Sequence, residues 1–140
     1  MLNSKQIGNI TEVEIMLSFL KLGFNVLTPY GDCERYDFVV EINNKFYKIQ
    51  SKTANSKDNG KSIFINCRST HRKNGKCVHE KYDSSDIDFF ATTYNGVSYL
   101  IPISECGSGK TLRFEETENC QKERVSFAKN YTIEEVIKRL

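Results

Sequence analysis

Apolar residues near the start of the chain recur at helical spacing. Residues 6–22, "QIGNITEVEIMLSFLKL", fit one helix closed by Gly23, the residue type that favours helix ends. At 100° per residue, Thr11, Glu14, Ser18 and Lys21 share one narrow polar face. The remaining arc carries Ile10, Val13, Ile15, Met16, Leu17, Phe19, Leu20 and Leu22, so the pattern predicts a helix covered around most of its circumference. Glu12 falls inside that arc, between Phe19 and Met16. A carboxylate is costly to bury there without compensation, although near the first turn its charge also suits the helix dipole.

Beyond Gly23 the period shortens to that of strands. "FNVLTP" (24–29) reads as a short strand stopped by Pro29, and "YGDCER" as a loop. The β-rich runs 36–42 and 45–52 flank Asn43-Asn44, a pair suited to a tight turn because Asn tolerates positive φ. With a two-residue turn, partners sum to 87: Ile42 faces Lys45, Val40 faces Tyr47, and Asp37 faces Gln50. Side chains alternate along a strand, so Lys52 emerges on the same face as Gln50, one step further on. A third strand is expected at 62–67, then a loop over 68–85, then a hairpin of 86–94 with 97–103 around Asn95-Gly96. Residues 105–130 are polar and give no clear element. Thr132 and Glu135 have capping-box spacing and start a helix over 131–140. The order implies one α/β (α+β) domain, 1–140, on a mixed, mainly antiparallel sheet. Tyr30, Tyr36, Phe46 and Tyr47 are expected in the core or on sheet faces.

At 140 residues, 39% hydrophobic and 27% charged, the composition is that of a globular protein, without an apolar run of membrane-spanning length. The first residues lack a secretory layout. Five cysteines, at 33, 67, 77, 106 and 120, are an odd count and read as reduced thiols of a cytoplasmic protein. The net charge of +2 conceals a division. Lys45 to Lys81 holds ten Lys/Arg against Asp58 and Glu80, a local +8, and leaves −6 for the rest. Such a cluster suits a polyanion. Its candidate nucleic-acid contacts, together with Arg35, are Lys57, Lys61, Arg68, Ser69, Arg72, Lys73 and Lys76.

Four residues carry the candidate chemistry. Hydrolysis of a phosphodiester calls for oxygen ligands to Mg²⁺ (or Mn²⁺) and a cation near the charge of the transition state. Asp37 and the carbonyl of Gln50 would be metal ligands, Lys52 the cation, and Glu12 a third oxygen donor pushed out of the apolar arc.

These motifs, Gly8-x-x-x-Glu12 on a helix, "PYGDCERYD" and a hairpin ending "QSK", resemble the PD-(D/E)XK nuclease superfamily. They are most similar to the branch that holds the group I intron homing endonuclease, where Gln replaces the acid of the third motif. "YDSSDIDFF" (82–90) and "YLIPI" (99–103) extend the resemblance over residues 8–103. Tyr36 stands where the superfamily motif has Pro. The resemblance implies a restriction-endonuclease-like core, Mg²⁺-dependent cleavage of double-stranded DNA, and a homodimer or homotetramer. A four-way-junction resolvase or a restriction-type nuclease would use the same four residues, and a non-catalytic nucleic-acid-binding module would keep the fold alone.

Two other patterns are set aside. Cys67, His71, Cys77 and His79 are zinc-type ligands, but C-x3-H-x5-C-x-H matches no common finger, and a basic hairpin or loop along DNA is preferred. "GSGKT" (107–111) has Ser104 where a P-loop needs its first Gly.

Overall fold

In the computed structural model, which describes residues 1–116, 119 and 123–140, the chain starts with helix α1 (Ser4–Lys21). Asn3 and Gln6 form a reciprocal capping box at its start, so the helix begins two residues earlier than the apolar pattern suggests. Strands β1 (Asn25–Leu27), β2 (Phe38–Ile42) and β3 (Lys45–Ser51) follow, then β4 (Asn55–Lys57), β5 (Ser62–Asn66), β6 (Arg68–Lys73) and β7 (Lys76–Lys81). The remaining elements are β8 (Phe89–Tyr94), β9 (Val97–Pro102), β10 (Gly109–Arg113) and a short helix α2 (Ile133–Ile137).

Three turns set the hairpins. Asn43-Asn44, Asn74-Gly75 and Asn95-Gly96 hold positive φ at both positions, from 49° to 78°. That backbone matches the twist of the strands it joins. The β2–β3 register is the one derived above, with Ile42 facing Lys45, Val40 facing Tyr47 and Phe38 facing Ile49.

The main sheet runs β1-β2-β3-β8-β9, antiparallel except where β3 and β8 run parallel, and so is mixed. Strand alternation divides the core into two layers. Phe38, Val40, Ile42, Ile49, Phe89, Ala91 and Leu100 meet Ile15 and Phe19 of α1 and Ile133 and Val136 of α2. Phe90, Tyr99 and Ile101 point the other way, against Ile63 and Ile65 of β5 and Leu112 of β10. Among the described residues no helix is long and apolar enough to cross a membrane.

Several expectations change. The strand expected at 62–67 exists as β5, but it belongs to a second sheet, β10-β5-β4, stacked on the first. The expected loop 68–85 is mostly the two-stranded ribbon β6–β7, its register running from Arg68–Lys81 to Lys73–Lys76. Within 105–130, β10 pairs with β5, and Gly109 lies so close under Phe64 that a Cβ there would clash with the ring. "GSGKT" therefore leads into a strand, with its second glycine serving packing. Only half of the expected capping box forms at α2: Thr132 accepts from the Glu135 N–H at 3.4 Å, while the Glu135 carboxylate pairs with Lys138. Tyr30 is fully exposed after Pro29, whereas Tyr36 and Tyr47 are half-buried. Cys33, Cys67, Cys77 and Cys106 are free thiols, and Cys120 lies outside the described residues.

The largest correction concerns α1. Its inward stripe is Thr11, Ile15 and Phe19, and Ser18 is tied to Ser98 of β9 at 2.6 Å. Two of the four supposed outer residues thus face the sheet, because β9 offers a hydroxyl partner there. Ile10, Val13, Leu17 and Leu20 point outward instead, each between 44% and 58% exposed.

Candidate active site

The site is built where β2 begins and β3 ends. The paired register ends at Phe38–Ile49; the Asp37 N–H donates to that same Ile49 carbonyl at 2.8 Å, one residue off the ladder, while Gln50, half-buried, pairs with Phe90 of β8. Two donors from Ser51 fix the Asp37 carboxylate: its backbone N–H at 2.8 Å and its hydroxyl at 2.6 Å, both to Oδ2. Bonds to an ionised acceptor are the stronger kind, and two on one oxygen leave the carboxylate little freedom.

Lys52 follows directly. Its N–H donates to the Ala91 carbonyl at 2.8 Å, so the chain stays in register with β8 past the formal end of β3. Its ammonium donates to the carbonyl of Arg68 at 2.9 Å and lies 5.2 Å from the centre of the Tyr82 ring. Burial lowers the Lys52 pKa from its ordinary value, partly opposed by the negative charge of Asp37. Glu12 approaches from α1, half-buried. Burial first, and the charge of Asp37 second, raise its carboxyl pKa. The mutual electrostatics of Glu12, Asp37 and Lys52 bring a helix, a strand start and a strand end to one locus.

Compared with known proteins, the sequence matches the PD-(D/E)XK endonuclease family over residues 2–134. The chain belongs to the PD-(D/E)XK endonuclease family. No curated protein sequence matches it. Among solved structures it is similar to the bacterial homing endonuclease I-Ssp6803I, with a TM-score of 0.76 at 23% identity over 99% of this chain and 95% of that one. That likeness bears on the fold, which is the restriction-endonuclease-like α+β core implied by the motifs.

Sequence reading of this endonuclease missed two residues near the site. Ser51 was invisible because its role depends on the carboxylate across the hairpin. Tyr82 was legible only as part of a longer motif; its ring stands 4.2 Å from the Arg35 guanidinium and packs edge-on against Phe90 at 5.3 Å.

The basic residues divide into two groups. Lys57, Lys61, Arg72, Lys73 and Lys76 are exposed, the last three around the tip of the β6–β7 ribbon. Arg35, Arg68 and Ser69 are half-buried at its base. Arg35 pairs with Asp86 at 2.7 Å and donates to the Lys81 carbonyl at 3.1 Å, but its Nη2 is buried without a protein partner. The four zinc-type residues are dispersed. Cys67 is in the second core layer and Cys77 is exposed; Thr70 pairs with His79 and His71 with Val78, so the two imidazoles occupy opposite faces of the ribbon.

Proposed function

We propose that this protein is a divalent-metal-dependent endonuclease that hydrolyses phosphodiester bonds of double-stranded DNA, with Glu12, Asp37, Gln50 and Lys52 as its active site. The observation that carries the reading is the Asp37 carboxylate, held by Ser51 at the end of β3, interacting with Lys52 on one side and with a second carboxylate from α1 on the other.

A Mg²⁺ or Mn²⁺ ion fits this set. Among the described residues no three His, Cys, Asp or Glu side chains form a ligand cluster, so the donors to hand are Glu12, Asp37 and the Gln50 carbonyl. All are hard oxygen atoms of the kind these cations prefer. The charge of Asp37 already disfavours ionisation of Glu12, a strain that a shared cation relieves. When bound, such an ion polarises the phosphate and supplies hydroxide at neutral pH. Ser51 holds Asp37 in its binding orientation. Lys52, anchored by the Arg68 carbonyl, presents a partly desolvated charge to the phosphate oxygens or to the attacking water.

The basic ribbon supplies backbone-phosphate contacts, and a two-stranded ribbon is of a size that a major groove admits. Cleaving both strands requires two active sites related by a two-fold axis. The outward apolar stripe of α1 supports a homodimer, or a homotetramer built from it.

The test is cleavage of supercoiled plasmid and of a synthetic four-way junction, each with Mg²⁺ and with EDTA. Metal-dependent cutting of plasmid, abolished in Asp37→Ala and Lys52→Ala, is expected. Preference for the junction would move the reading to a resolvase. Binding without cutting under any divalent ion would leave a non-catalytic DNA-binding module.

A further inference from the structure

The base of the β6–β7 ribbon encloses the end of Lys52. The carbonyl that receives its ammonium belongs to Arg68, the first residue of β6. The ring beside it belongs to Tyr82, the residue directly after β7. Both strands of the ribbon therefore hold Lys52 where they leave the body of the protein.

Tyr82 is itself held. Phe90 meets its ring edge-on at 88°. Arg35 lies 4.2 Å from the same ring while bonded to Asp86 and to the Lys81 carbonyl. Two cations thus share one aromatic face system. Each has a carboxylate of its own, Asp86 for Arg35 and Asp37 for Lys52, so their mutual repulsion is offset on both sides.

From this arrangement we infer that Tyr82 is a positioning residue for Lys52: its ring fixes the direction of a four-carbon side chain that the Arg68 carbonyl alone leaves free to swing. The inference rests on the nuclease reading for its consequence in cleavage, but not for the geometry. An ammonium within about 6 Å of a ring centre is attracted by the ring quadrupole, and the attraction grows as the site is desolvated. The π face does this, and the hydroxyl is dispensable.

The experiment compares Tyr82→Phe, which keeps the ring, with Tyr82→Met, which keeps an apolar side chain without one. In single-turnover cleavage, Tyr82→Met should cut about 3- to 30-fold more slowly, with its DNA Kd unchanged, while Tyr82→Phe stays close to wild type. Wild-type cutting by Tyr82→Met, an equal drop in Tyr82→Phe, or an effect carried by Kd would overturn the inference.

A second readout is independent of activity and of the Met variant's folding. The Lys52 ε-methylene protons, assigned by their absence in Lys52→Met, should resonate upfield of the other lysines in wild type and in Tyr82→Phe. Unshifted protons in wild type would overturn the positioning role even if DNA is cut. Upfield protons in a protein that cuts nothing would uphold the positioning and remove the nuclease reading instead.

Discussion

Ser51 closes on a single oxygen of Asp37 from two directions, backbone N–H and hydroxyl, at 2.8 and 2.6 Å. The two residues lie 14 apart in sequence and are joined only through the β2–β3 hairpin. Whatever holds the hairpin in register therefore also aims the carboxylate. Ser51→Ala removes the shorter bond and keeps the other. It should cost about 1–2 kcal/mol of stability, read by denaturant unfolding, since one bond to an ionised acceptor disappears. Cleavage should fall by about tenfold as Asp37 loses its fixed orientation, and Ser51→Thr should restore most of it.

Glu12 gives a pH-dependent prediction. Its carboxyl is raised above the ordinary value, by burial and then by Asp37, so the folded chain holds that proton more tightly than the unfolded chain does. The associated stability is fully present below the unfolded value of about 4.3 and is lost as pH rises through the folded value. Glu12→Gln removes that loss. Without divalent ions, the variant should melt higher than wild type at pH 7, and the two should converge near pH 4. Because the side chain is only half-buried and solvent screens its charge, the gain should be small, about 1–3 °C. Adding Mg²⁺ should raise the melting temperature of wild type more than that of the variant.

The ribbon can be tested through salt. If Arg72, Lys73 and Lys76 each meet a phosphate, replacing all three by Ala should flatten the dependence of log K on log salt by about 0.9 for each phosphate no longer neutralised. Affinity should fall to a similar degree on unrelated DNA sequences, because backbone phosphates carry no sequence information. An unchanged slope, measured by fluorescence anisotropy at several salt concentrations, would remove the ribbon tip from the interface.

The outward face of α1 predicts assembly. Leu17→Lys together with Leu20→Lys places charge in the exposed stripe, away from the residues that pack on the sheet. Sedimentation should show the variant shifted toward monomer, with its melting temperature nearly unchanged if the stripe contributes only between copies.

Much of the hairpin chemistry was legible in the sequence because it depends on turn length alone. Asn43-Asn44 fixes the register from Ile42–Lys45 to Phe38–Ile49, but Asp37 steps off it and bonds to Ile49 where the turn arithmetic set it against Gln50. Glu12 stood out because a carboxylate among apolar residues needs a reason. The projection of α1 erred in direction: it identified the apolar arc but could not see that Ser98 would draw Ser18, and with it Thr11, inward. The β6–β7 ribbon carried its own signal in Asn74-Gly75, the same type of turn as Asn95-Gly96. Its strands are exposed on both faces, so no hydrophobic alternation marked them. Ser51 and Tyr82 act through partners distant in sequence, and nothing local announces such roles.

The central claim is that Asp37 and Gln50, on the two arms of the hairpin, share a divalent cation. Anomalous diffraction from crystals soaked in Mn²⁺ tests it most directly. A peak within coordination distance of an Asp37 carboxylate oxygen and the Gln50 carbonyl oxygen, absent in Asp37→Ala crystals soaked in the same way, is the predicted result. A peak elsewhere, or one that survives removal of the Asp37 carboxylate, would contradict the account.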